Sequence, residues 1–467
     1  MRILLVILVT LVPLATHAEN PRTLRVDYYH SGNVSDESFS LDRMVLEPLA
    51  FPGNLQQPID KTLRGKYVFE VVDVGSSKVF WTRSFSSIYG EWETTGEARQ
   101  MNRTFHESLR FPKPAENFEV ILRKRDASNQ FREVWRIELN PNDYLVHEES
   151  AAYRDAVVPI VNHGDSANKV DILLLGDGYT ANEKDAFIAK ARELVDTLFA
   201  TAPFSHRRED FNVWALAPAA TESGVSRPST GVYRDSPLGA SYDAFRSERY
   251  VLTNDNREWR RIASSVPYDF VEILTNSETY GGGGIYGLFS TAAANSQWAD
   301  YLFMHEFAHH FAGLADEYYT SSVAYTAPSE IVEPYEPNVT ALLDPKKLKW
   351  ANFANTDTPL PTSWPKEEYE SHSLAYQARR AAMRAENVSE DEMNHLFSDS
   401  QKIVDGMFSA APYKDSIGAF EGAIYQASGY YRSEQNCIMF TRTTDFCRVC
   451  AAAIEEVIDA YTQLAAH

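Results

Sequence analysis

The sequence predicts an α+β protein in two parts: an antiparallel β-sandwich at the amino-terminal end, then a region where helices and strands mix. Three observations predict it. Residues 22 to about 145 alternate polar and apolar with period 2 between Gly, Pro, Asn and Ser turns, as strands with one buried face do. At Lys169 the texture changes: residues 170–175 are apolar except for Asp171, as in a strand covered on both faces, and helical periods then interleave with further strands. Over 467 residues, 44% are hydrophobic and 23% charged, a globular balance that excludes a collagen, a coiled coil or a multi-span membrane protein.

In chain order, Met1 and Arg2 precede a charge-free run over residues 3–15 that ends at Thr16-His17-Ala18. A basic start, an apolar stretch of about a dozen residues and a small residue at the cut describe a secretory signal peptide, here residues 1–18 with cleavage after Ala18. The run is shorter than the roughly 20 apolar residues of a membrane span. Export to the medium, the periplasm or the cell surface is expected, with no integral span after processing. The sandwich is assigned to residues 19–147, with strands over 23–29, 67–72, 118–122 and 134–139. Its sequence holds no cluster of His, Cys and carboxylates, so no chemistry is assigned to it. Residues 148–168 are polar and read as a linker.

The second part spans 169–467. A strand over 170–175 is broken by Gly176-Asp177-Gly178, and Thr180 with Glu183 forms a capping box for a helix to about Phe199. Residues 211–216 and 270–274 read as further strands, and 285–290 as a fourth. The glycines at 281–284 lack the Lys-Ser/Thr of a phosphate loop, and Gly176-Asp177-Gly178 lacks a third glycine at dinucleotide-binding spacing. A net charge of −21 argues against nucleic acid and against anionic lipid.

The chemistry concentrates at His305-Glu306-Phe307-Ala308-His309. On a helix His305 and His309 share one face, the spacing for two positions of a tetrahedral zinc site. Glu306 sits beside that line, where a carboxylate can take a proton from zinc-bound water. Phe303, Phe307, Phe311 and Ala312 make the helix apolar, so its polar groups need partners, and a metal is the simplest. Gly313 ends the helix. Asp316, three residues on, can swing back as third ligand; Glu317 is the rival, or else hydrogen-bonds behind the site, and His372 and His395 are distant alternatives.

The segment 305–319 resembles the zinc helix of metzincin peptidases, and is most similar to the IgA-peptidase family of secreted bacterial metallopeptidases. Those combine an H-E-x-x-H helix, a Gly-Leu-x-Asp-Glu-Tyr continuation and an amino-terminal β domain. The resemblance implies a metzincin-like domain: a twisted mixed sheet, a zinc-binding helix, a methionine turn and a carboxy-terminal helix. Ala312 and Ala315 depart from the usual Gly and His places, which changes the third ligand's type to Asp316 and leaves the site intact. Asn436-Cys437-Ile438-Met439-Phe440 is similar to the methionine turn, with Met439 beneath the zinc. Thr441 stands where that turn often has a tyrosine, so Tyr318, Tyr319, Tyr430 and Tyr431 are candidates to stabilise an oxyanion.

Cys437, Cys447 and Cys450 are the three cysteines. As a zinc knuckle they lack a fourth ligand, and in an exported protein a disulfide from Cys437 to Cys447 or Cys450 is expected, tying the turn to a last helix over 449–464. Residues 369–409 read as helical, with Arg379, Arg380 and Arg384 on a solvated face or a wall of the cleft. The whole reads as a secreted Zn2+-dependent endopeptidase acting on protein or peptide. The alternatives are a non-catalytic surface binding protein with a structural zinc, and a zinc hydrolase of a non-peptide amide.

Overall fold

The computed structural model describes residues 20–321, 323, 325, 330–355 and 357–463. The expected signal peptide, residues 1–18, lies outside them. Eight strands open the described chain: β1 (Arg22–Gly32), β2 (Glu37–Ala50), β3 (Tyr67–Asp73), β4 (Val79–Phe85), β5 (Arg103–Pro112), β6 (Phe118–Arg125), β7 (Phe131–Leu139) and β8 (His147–Glu148). They form two four-stranded sheets, β5-β1-β2-β8 and β4-β3-β6-β7. Leu24, Val26 and Tyr28 of β1 bury against Phe69, Val71 and Val120 of the facing sheet. That alternation is what makes a sandwich stable: each sheet hides one face. All pairs are antiparallel except β2 with β8, which run parallel. A short helix α1 (Ile88–Trp92) sits between β4 and β5.

The expected linker is not structureless. Within it, β9 (Val158–Val161) pairs antiparallel with a strand of the second sheet, Val161 opposite Val213. Its four residues, Val-Pro-Ile-Val, are an apolar island in a polar stretch, and only Val161 of them is buried. That second sheet has the order β13-β14-β12-β10-β11-β9, built from β10 (Val170–Asp177), β11 (Phe211–Leu216), β12 (Phe270–Thr275), β13 (Gly282–Ile285) and β14 (Phe289–Ala293). Its four central strands are parallel and its two edge strands antiparallel. All eight residues of β10 are buried, as its apolar run requires. Its two aspartates are hydrogen-bonded: Asp171 Oδ1 accepts from Trp214 Nε1 at 2.8 Å and Asn212 Nδ2 at 3.1 Å, its Oδ2 having no partner among the described residues, and Asp177 accepts from the backbone N–H of Leu238 and Ala240.

Helices cover the sheet. They are α2 (Lys184–Ala200), entered through the Thr180–Glu183 capping box, α3 (Asn256–Ala263) and α4 (Ala299–Ala312). The glycines expected to precede a strand are the strand: β13 holds three of them and turns back into β14. Glycine has little intrinsic preference for a strand, but here the glycines let the strand lie against α4. A Cβ on Gly284 would stand 2.2 Å from Glu306 O and 2.8 Å from His309 Cβ; one on Gly282 would stand 2.9 Å from Glu306 Cγ.

The rest comprises β15 (Val339–Thr340), a helical hairpin α5 (Lys366–Ala385) and α6 (Glu390–Ser409), β16 (Phe420–Ala423), β17 (Gln426–Arg432) and α7 (Arg448–Thr462). The arginines of α5 are not uniformly solvated. Arg379 is exposed, while Arg380 and Arg384 pair with Glu248 from the loop before α3. The sandwich also reaches into this region: Arg64 Nη1 donates to Ala312 O at 3.0 Å and to Ala453 O at 2.9 Å, joining the end of α4 to α7. Among the described residues no helix is long and apolar enough to cross a membrane.

Candidate metal centre

α4 carries His305, Glu306 and His309, and Gly313 at φ 59° reverses the chain after it. The turn brings Asp316 back. His305 Nε2 lies 3.1 Å and His309 Nε2 3.2 Å from Asp316 Oδ1, and the two Nε2 atoms are 3.2 Å apart. Ligand atoms about 2.0–2.1 Å from a tetrahedral zinc are about 3.3–3.4 Å apart, so the triangle has the size the ion needs.

The donor set fits as well as the spacing. His305 Nδ1 is 2.9 Å from Ile438 O, and His309 Nδ1 is 2.6 Å from Leu314 O. Each ring therefore carries its proton on Nδ1, and both Nε2 atoms face the carboxylate as bare lone pairs. Three acceptors pointing at one another repel unless a cation stands among them. A proton can take the cation's place and so competes with it: burial lowers the His309 imidazole, the Asp316 carboxylate more than offsets this, and the ring rises to about 9. Burial raises Asp316, but His309 and His305 hold it well below the usual carboxylate range. His310 is spent elsewhere: its Nε2 accepts from Val271 N and its Nδ1 donates to Ile285 O, and burial lowers it to about 3.

Glu306 is half-buried beside the triangle, and burial raises its carboxyl, with His305 and His309 opposing. It lines a cavity of about 580 Å³ with Lys66 and Glu91 of the sandwich, Arg249, Tyr318 and Tyr425. The sandwich, given no chemistry from its sequence, thus forms one wall of the cleft. Tyr425 donates its hydroxyl to Asp316 Oδ2, and its hairpin docks through Ile424 N on Asp316 O and Tyr425 N on Tyr318 O, both at 3.1 Å. Arg249 Nη2 donates to Tyr318 OH at 3.2 Å, and the Tyr318 ring stacks on His305 with centroids 6.2 Å apart.

Sequence reasoning missed Arg249 and Tyr425. Both come from loops, and no spacing signal ties them to α4. Of the four tyrosines it named, Tyr318 alone lines this cavity. The strand edge at Gly282 is already taken: its N–H donates to Arg249 O at 3.0 Å and its carbonyl accepts from Val251 N at 3.1 Å.

Glu317 turns away from the triangle. Its Oε1 accepts from Asn338 Nδ2 at 3.0 Å and lies 3.4 Å from Cys450 Sγ. The distant alternatives are elsewhere too: His372 bonds Ser400 between α5 and α6, and His395 lies on α6. Met439 is fully buried in a turn closed by Phe440 N on Cys437 O at 2.8 Å. The turn meets the site through two carbonyls, Ile438 O on His305 and Met439 O on Glu317 N. The expected disulfide is not formed. All three cysteines are free, and Cys437 Sγ lies 3.8 Å from Cys450 Sγ against about 2.05 Å for a bond. The sandwich also contains a cluster its sequence hid, Asp27, Asp42 and His106, drawn together from three strands.

The family model described as IgA Peptidase M64 matches residues 158–458, and the model described as Peptidase M64 N-terminus matches residues 16–136. A search of curated proteins finds no match to the chain.

Proposed function

The chain belongs to the IgA peptidase M64 family and is a metallopeptidase, and we propose that it is an exported, zinc-dependent endopeptidase of metzincin-like fold. Membership removes the readings as a non-catalytic binding protein or a hydrolase of other amides; its substrates are proteins or peptides. His305 Nε2, His309 Nε2 and Asp316 Oδ1 would hold the zinc. The observation that supports this is the triangle of three mutually facing acceptors 3.1–3.2 Å apart. Bound there, zinc supplies a Lewis acid that polarises the scissile carbonyl and acidifies water.

The chain's own residues do the rest. Glu306 accepts the proton of the attacking water and hands it to the leaving amine; a carboxyl lifted by burial suits both transfers. Tyr425 occupies Asp316 Oδ2 and so leaves Oδ1 to face the histidines. Tyr318, oriented by Arg249, donates to the oxyanion as it develops. Lys66, Glu91 and Arg249 on the cavity walls favour peptides with charged groups flanking the scissile bond. Export rests on residues 1–18; amino-terminal sequencing of the exported protein should begin at Glu19.

The test is Glu306→Gln, assayed on a peptide library with zinc content measured on the same sample. Zinc should stay bound while hydrolysis falls by at least about 10³-fold, since the group that moves the proton is gone. Retained turnover would remove Glu306 from its role.

A further inference from the structure

Behind the catalytic triangle stands a second cluster that the reaction does not use. Glu317, Cys437, Cys447 and Cys450 are all buried, and their ligand atoms lie within 4.8 Å of one another. We propose that these four residues form a closed site for a thiophilic divalent cation, zinc, which fastens the segment bearing Asp316 to the turn at 437–440 and to α7.

Two edges of the cluster have the lengths of a tetrahedral site, and all its ligand atoms lie within 4.8 Å of one another. At a zinc–sulfur distance of about 2.3 Å, two sulfurs are about 3.8 Å apart, and a sulfur and a carboxylate oxygen about 3.5 Å. Cys437 Sγ and Cys450 Sγ are 3.8 Å apart, and Cys450 Sγ and Glu317 Oε1 3.4 Å. The surroundings are those of thiolates. Cys447 caps α7, and its sulfur accepts from Cys450 N at 3.4 Å, with Ser433 Oγ at 3.3 Å; Cys437 Sγ accepts from Cys447 N at 3.3 Å. Backbone N–H groups and a helix N-terminus favour sulfur in its anionic, metal-binding form.

The carboxylate supplies an independent sign. Glu317 is fully buried, and its Oε2 has no hydrogen-bond partner among the described residues. A buried carboxylate without a cation is costly. The buried guanidinium of Arg432 is close enough for its charge to be felt but makes no hydrogen bond to it, spending its donors on the carbonyls of Glu421, Gly422 and Gln435. Three soft sulfurs and one carboxylate select zinc over calcium or magnesium, and four protein ligands leave no open position, as in a structural site. Glu317 adjoins Asp316, and its N–H donates to Met439 O at 2.8 Å. An ion here would hold both the third ligand of the triangle and the turn that orients His305.

The test uses the whole exported protein, purified without chelator. Metal analysis should give two zinc ions per chain. Titration with a mercurial reagent should release one of them as three thiols react. After cobalt substitution, sulfur-to-cobalt charge-transfer absorption should persist in His305→Ala, which loses the triangle, and vanish in Cys450→Ser. If Cys450→Ser does not fold, the titration of the unaltered protein still decides. A Cys437–Cys450 disulfide, or three thiols that react without releasing metal, would overturn the proposal and leave the catalytic triangle untouched. Loss of the cobalt–sulfur band in His305→Ala would overturn it too.

Discussion

Asp27, Asp42 and His106 in the sandwich and His305, His309 and Asp316 on the catalytic side use the same residue types at similar separations, yet they call for opposite partners. In the first, the protein supplies the positive charge. Asp27 accepts from Arg25 at 2.9 Å and Arg43 at 3.1 Å, and Asp42 from Arg257 at 2.5 Å. His106 takes a proton donor, Asn256 Nδ2, on its Nδ1 at 3.0 Å, so its Nε2 carries the hydrogen and donates to Asp42 at 3.2 Å. In the second, backbone carbonyls pin the hydrogen on Nδ1 of both rings, and among the described residues no arginine or lysine forms an ion pair with Asp316. A cluster of ligating residues is informative only once its tautomers and its cations have been counted.

The largest effect that would sharpen this comparison is on metal and turnover together. Asp316→Ala should lose the zinc of the triangle and at least about 10³-fold in kcat/KM, whereas Asp42→Asn should leave zinc content and activity unchanged. Zinc lost from the second variant would break the contrast. Next comes stability. Arg25 is fully buried among Asp27, Glu47 and Glu149, so Arg25→Met strands Glu149 and leaves Asp27 and Glu47 with one arginine each, Arg43 and Arg110. It should cost about 3–5 kcal/mol in urea unfolding monitored on the sandwich.

A smaller effect is expected at the tyrosine behind Asp316. Tyr425→Phe removes the hydroxyl from Oδ2 and should weaken zinc binding by roughly 10–100-fold, read by competition with a chelator. The smallest is a pH dependence in the sandwich. His30 is buried between Glu107 at 3.1 Å and Glu37 at 3.0 Å, with Tyr89 stacked on it and Lys124 beyond Glu37. Burial lowers His30, but Glu107 and Glu37 raise it above its ordinary value. The stability it contributes is present in full below about pH 6.5, the value in the unfolded chain, and is lost as pH rises through the higher folded value. The urea midpoint of the unaltered protein should therefore fall more than that of His30→Gln from about pH 6 to about pH 9.

Much of this was legible in the sequence, and the reasons differ by region. α4 declares itself because two histidines at i and i+4 interrupt an apolar helix and a glycine stops it. Asp316 follows from the reach of that turn. β10 and the strands of the sandwich are fixed by apolar periodicity, a property of each segment alone. β13 was hidden because its glycines answer to a neighbour, the backbone of Glu306, rather than to strand propensity. Tyr425 and Arg249 lie 109 and 69 residues from the side chains they serve, Asp316 in one case and Tyr318 toward His305 in the other. The cysteines beside Glu317 were out of reach for the same reason: they lie 120 or more residues away, and only the folded chain brings them to it.

Anomalous diffraction at the zinc edge, on crystals of the zinc-loaded protein, tests the central claim most directly. The account predicts a peak about 2.0–2.2 Å from His305 Nε2, His309 Nε2 and Asp316 Oδ1, and none at Asp27, Asp42 and His106. Zinc held by the sandwich cluster, or a triangle without zinc in an active enzyme, would contradict it.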